Sequence, residues 1–167
     1  LKEEGDCLYE VDEWGRTIRT RRGAYFSEIL EVPLPEGTDI DSVRFDPANL
    51  DERFLMGQAG LEEANAAIAR DQKQFCVFGK TGGPFLRSSF VRGEEQFLID
   101  IAADPELAAA IVEKVANHLL AVGLEEMRRW HLQDTGIWIY DDMACNRGPM
   151  FSPESFEKVL LPAYRRM

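Results

Sequence analysis

Few cysteines, no paired metal-ligand spacing and no surplus of cations mark this 167-residue chain. The three cysteines, Cys7, Cys76 and Cys145, are far apart and odd in number, so neither a disulfide framework nor a zinc finger is expected. Free thiols of a reducing, cytoplasmic setting are the plain reading. Against 30 Asp and Glu stand only 19 Lys and Arg, a formal net charge of -11. That balance excludes nucleic acid as an expected partner, because phosphate binding calls for excess positive charge. It leaves room for a local basic pocket. No apolar run approaches the ~20 residues of a membrane helix, and no leader is visible at the start. No GxGxxG or GxxxxGK[ST] follows a strand-like segment, so neither a dinucleotide nor a nucleoside triphosphate site is indicated.

What is present suits a packed fold. Apolar residues make up 45% and aromatics 10%, enough to fill a core. Residues 1–60 read as an irregular N-terminal region or lid. It has short strand-like pieces at 7–11 and 14–25 and a long extended loop around Pro33 and Pro35. From residue 61 the texture changes. LEEANAAIARDQ predicts a helix, and QFCVFG at 74–79 predicts a strand buried on both faces. A second helix is expected over 94–102. Asp104-Pro105-Glu106 then starts a long helix to about 132, with Leu107, Ile111, Val115, Leu119 and Val122 as its apolar stripe. GIWIYDD at 136–142 predicts a second buried strand. Ser152-Pro153-Glu154 opens a last helix, which Pro162 should kink or end at Leu161. Two strand–loop–helix units spell an α/β chain with parallel strands, and a (β/α)8 barrel, only partly present, is the expected fold.

In such a barrel the chemistry sits where strands end. Asp141 and Asp142 are the catalytic candidates; on a continuing strand they point to opposite sides, so only one faces the site. The plainer reading is a loop cap or an ion pair with Arg147. Lys80, Thr81, Gly82, Phe85 and Arg87 form the other candidate loop, where Lys80 and Arg87 could make a cationic corner for carboxylates. Gly82 and Gly83 suggest close backbone approach. Cys145 has no readable base and is taken as a lining residue. His118 and His131 lack a second ligand at metal spacing, so no metal is expected in this segment.

The stretches FCVFGKTGGPFLRSSFVRGEEQFLIDIAADPELAAAIVEKV and GIWIYDDMACNRGPMFSPESFEKVLLPAYRRM resemble the uroporphyrinogen decarboxylase superfamily, with likeness running from about Asp12 to the end. The resemblance implies the barrel fold and a small-molecule substrate bound by Lys80, Thr81, Gly82, Phe85, Arg87, Phe90, Cys145 and Arg147. Two departures favour its methyltransferase-like branch over the decarboxylases: Phe90 where those carry tyrosine, and Asp141-Asp142 where those carry Asp-Ser. The Asp12-Glu13-Trp14-Gly15 element points the same way. That branch implies a corrinoid protein as partner, allows a homodimer, and uses zinc held by a His-x-Cys pair and a later Cys, expected after Met167. The arginine motif of decarboxylases is expected before Leu1. The alternatives are a uroporphyrinogen decarboxylase and a non-catalytic barrel fragment, and the segment alone is not expected to bind a cofactor or to need activity of its own.

Overall fold

In the computed structural model, which describes residues 2–55 and 60–167, the chain begins with regular antiparallel pairing. Strands β1 (Lys2–Glu4), β2 (Cys7–Val11), β3 (Thr17–Arg21) and β4 (Glu28–Glu31) form one meander in that order. The Ala24 amide donates to the Arg21 carbonyl to close the turn after β3, where Gly23 takes a positive φ, and the Arg22 amide donates to the Asp6 carbonyl of the β1–β2 turn. Asp12 organises the β2–β3 turn. Its carboxylate accepts from the Trp14 and Arg16 amides at 2.9 Å each and pairs with the Arg16 guanidinium at 2.7 Å. The turn seats Trp14 in the core.

An arm of loop and single 3-10 turns, Ile40–Ser42 and Asp51–Phe54, then crosses the helices, burying Leu34, Val43 and Phe54. Helix α1 (Leu61–Asp71) follows. Strand β5 (Gly79–Gly82) leads into α2 (Pro84–Arg92), α3 (Glu94–Ala103) and the 26-residue α4 (Pro105–Trp130). Strand β6 (Ile137–Tyr140) returns parallel to β5, with Gly79 opposite Ile137 and Gly82 opposite Tyr140. A two-residue hairpin, β7 (Ala144–Cys145) with β8 (Gly148–Pro149), precedes the last helical segment.

Helix α4 forms the centre of the core. Asp104 caps it by accepting from the Leu107 amide at 3.1 Å, with Pro105 in the first turn. Its buried face is Ala108, Ile111, Val112, Val115, Ala116, Leu119 and Gly123. That face contains three of the expected stripe residues and is widened by small ones, which lets α2 and α3 lie close. The helix is long and apolar enough to cross a membrane by length and composition alone, yet charges such as Glu113 and Lys114 interrupt it and its apolar face packs in this core.

The barrel expectation is overturned. The described residues contain no closed barrel and no repeated β/α units: one four-stranded antiparallel sheet, one parallel pair and one small hairpin. The physical reason lies in where the strand hydrogen bonds fall. The apolar run 74–78, expected as a doubly buried strand, lies before β5 and is largely exposed, with Phe75 at 66% and Phe78 at 48%. Pairing starts at Gly79, so β5 is GKTG rather than a hydrophobic strand. Trp138 on β6 is likewise exposed and meets Phe78 edge-on at 6.1 Å.

The last segment stays helical through Pro162. A short α turn, α5 (Pro153–Ser155), widens into a π-helical turn (Phe156–Leu160) and continues as α6 (Leu161–Arg166). Proline cannot donate and crowds the carbonyl four residues back. The wider turn, in which the Leu161 amide bonds to the Phe156 carbonyl, makes the room. The helix therefore continues where the sequence predicts a kink or stop.

Candidate functional site

The parallel pairing of β5 and β6 brings the two expected loops side by side. What each loop then does is different.

Asp141, directly after β6, turns toward the start of α2. Its carboxylate accepts from the amides of Phe85 at 2.9 Å, Leu86 at 2.7 Å and Asp142 at 3.0 Å, and from the Tyr164 hydroxyl of α6. Pro84 occupies the first helical position, so these are the first free amides of α2, and the negative charge also complements the helix dipole. A Cβ on Gly83 would collide with this carboxylate, which explains the glycine as a close approach rather than a left-handed turn. Burial and, second, the bond to Asp141 push the Tyr164 phenol far above its ordinary range, so it acts as a donor throughout. Asp141 is thus a helix cap shared by three elements.

Asp142, Cys145 and Arg147 are exposed on or beside the β7–β8 hairpin. Phe85 is 2% exposed and packs between Phe97 and Phe151, so it serves the core. Tyr25, an aromatic of the first region, is 91% exposed.

The β5 loop builds a pocket of about 230 Å³, room for roughly eight water-sized atoms at ~30 Å³ each. Lys80, Thr81, Gly82 and Arg87 line it, together with Glu13, Trp14, Arg53, His118 and Tyr140. Arg87 donates to the Tyr140 hydroxyl at 2.7 Å. Its guanidinium carbon lies 5.2, 4.9 and 5.9 Å from the ring centres of Trp14, Phe90 and Tyr140. It has no carboxylate partner among the described residues, and its buried Nε has no acceptor. Lys80 also lacks an acidic partner there; its Nζ sits 4.6 Å from the Tyr140 ring centre. Arg53, by contrast, reaches Glu13 at 3.4 Å. Phe90 does not line the pocket. It stands between the Arg87 and Arg16 guanidinium groups, the latter 3.6 Å from its ring centre, and so positions the cation.

His118 stacks on Phe45, centroids 4.6 Å apart, and meets Trp14 edge-on at 5.8 Å. Burial, reinforced by the Arg53 charge, pushes its pKa down to about 4, against a smaller opposing pull from Glu13 and Asp46. The imidazole is neutral at pH 7. Glu126 of α4 reaches the Lys80 amide at 3.3 Å, and burial raises its carboxyl pKa.

The pocket therefore joins two cations, Lys80 and Arg87, without acidic partners among the described residues to aromatic and aliphatic walls. Among the described residues no three His, Cys, Asp or Glu side chains converge as a metal site. Comparison of the chain with protein-family models, with curated proteins and with solved structures returns no match. Sequence reasoning missed Tyr140, His118 and Arg53 as pocket residues. Tyr140 had a signal, since it directly precedes Asp141 at a strand end. His118 and Arg53 had none, because their approach depends on how the arm crosses α4.

Proposed function

We propose that the chain is part of a methyltransferase similar to those of the uroporphyrinogen decarboxylase superfamily, moving a methyl group between a small methylated substrate or a corrinoid protein and an acceptor. The sequence likeness over 75–115 and 136–167 supports the reaction class. The observation that carries the site is the pairing of Arg87 with the Tyr140 hydroxyl in a pocket where neither Arg87 nor Lys80 meets an acid among the described residues. Methyl transfer moves a carbon without its bonding electrons, so the group left behind gains negative charge. Fixed cations beside that group stabilise the charge as it develops. Because the Tyr140 hydroxyl accepts from Arg87, its own proton is free to be offered to the leaving atom. Asp141 holds the start of α2, and hence Arg87, in place. A corrinoid on a partner protein would supply the methyl carrier.

Loss of carbon dioxide from uroporphyrinogen is the second reading, favoured by the concentration of Arg53, Lys80 and Arg87 at one pocket. The pocket's volume counts against it, because a tetrapyrrole needs more than the lower end of the ~300–1,000 Å³ usual for ligand sites. The test incubates the full-length protein of which this chain is part with a reduced corrinoid protein and a panel of methylated donors while following cobalt absorption. Methylated cobalt from at least one donor is expected, and its loss with Tyr140→Phe. Carbon dioxide released from uroporphyrinogen with no cobalt methylation would reject methyl transfer in favour of the second reading.

A further inference from the structure

We propose that the Arg87 pocket takes a small, flat monocarboxylate, with the carboxylate on Arg87 and Lys80 and the planar body against Trp14, His118 and Tyr140; this rests on the reading of that pocket as a substrate site. In a chain of net charge -11, two cations on one pocket wall lack acidic partners among the described residues. Leaving a half-buried guanidinium without an anion costs stability, and a ligand anion removes that cost. The planar fork of Arg87 matches the two oxygens of a carboxylate. Lys80 adds a point charge across the Tyr140 ring.

A phosphate ester is disfavoured on structural grounds. Phosphate sites usually draw on free amides at a helix start, and those of α2 are consumed by Asp141. Glu13 on the rim, bonded to the Trp14 indole at 2.9 Å, also repels a dianion more than a monoanion. Trp14, Tyr140 and His118, the last uncharged at neutral pH, line the pocket with aliphatic Leu119 and Val122, so these walls favour an apolar, planar body. A pocket of about 230 Å³ is large enough to take a single ring bearing one carboxylate.

Titration calorimetry of the 167-residue chain with benzoate, benzamide and phenyl phosphate tests this, without any methyl donor. Benzoate is expected to bind, with benzamide and phenyl phosphate each at least about tenfold weaker. Arg87→Gln should weaken benzoate by about tenfold or more and Lys80→Gln by about threefold, with both variants melting cooperatively. No benzoate heat up to ~10 mM, equal binding of benzamide, or tighter binding of phenyl phosphate overturns the proposal. If Arg87→Gln fails to melt cooperatively, the benzamide comparison on the unaltered chain decides alone. Benzoate binding without cobalt methylation leaves the carboxylate site standing and removes the methyl-transfer reading. Cobalt methylation from an uncharged donor with no benzoate binding does the reverse.

Discussion

Helix α2 carries an arginine toward each end, and the two are treated in opposite ways. Arg92, at the C-terminal end, is 5% exposed. It donates to both oxygens of Asp100 at 2.6 and 3.4 Å and to the Leu34 carbonyl at 3.1 Å, while Gln96 also bonds Asp100. The Leu34 amide returns a bond to the Val91 carbonyl, so the arm is clamped to the helix. Arg87, at the N-terminal end, has one phenol, three aromatic rings and no acid among the described residues. The fold satisfies the first cation for stability and leaves the second open, which is where binding belongs.

The comparison can be broken in graded ways. Asp100→Ala strands a buried guanidinium and should cost about 3–5 kcal/mol in urea unfolding, with benzoate affinity unchanged in the folded fraction. Asp141→Ala should cost about 3 kcal/mol by the same measurement, from the lost cap and the orphaned Tyr164 hydroxyl. The adjacent glycines should separate. Gly83→Ala drives a Cβ into Asp141 and should cost roughly 1–3 kcal/mol, whereas Gly82→Ala meets only the movable Arg87 side chain and should weaken anion binding with a stability loss below ~1 kcal/mol. Arg87→Met should leave stability within about 1 kcal/mol of the parent or raise it; a loss as large as that of Asp100→Ala would show that both arginines are structural.

The smallest effect is a pH slope. Unfolded His118 takes up a proton as pH falls through its ordinary value of 6.5, but the folded residue resists until about 4. The unfolded state therefore holds more protons in that window, and stability falls as pH drops across it while staying flat above. His118→Phe, which keeps a ring between Trp14 and Phe45, should flatten melting temperature over the same window.

The helices with local start signals were legible, while α2 (Pro84–Arg92), read as a loop, was not. Asp104-Pro105 and Ser152-Pro153 state their own starts, and Ile111, Val115 and Leu119 state a buried face. The strand pieces at 7–11, 14–25 and 136–142 were also legible, but the strand at 74–79 was not. An apolar run such as 74–78 announces burial, but only a partner strand fixes where pairing begins, and here that partner is 58 residues further on. The candidate residues show the same limit. Lys80, Thr81, Gly82 and Arg87 do meet at one pocket, since the end of β5 runs through Gly83 straight into α2, which carries Arg87. Asp141 reads as chemistry from its position after a strand, yet the amides that claim it belong to another segment.

The widened turn at 156–160 has a consequence for that claim. Each helical residue turns the chain by ~100°, so Phe156 and Tyr164 would sit ~80° apart on a regular helix. With one residue of slack their rings lie 6.0 Å apart and the Tyr164 hydroxyl reaches Asp141. The turn works as a phase shifter. It retimes the final helix by one step, so that a side chain which would have met solvent arrives in register with a strand end and, through it, with the pocket.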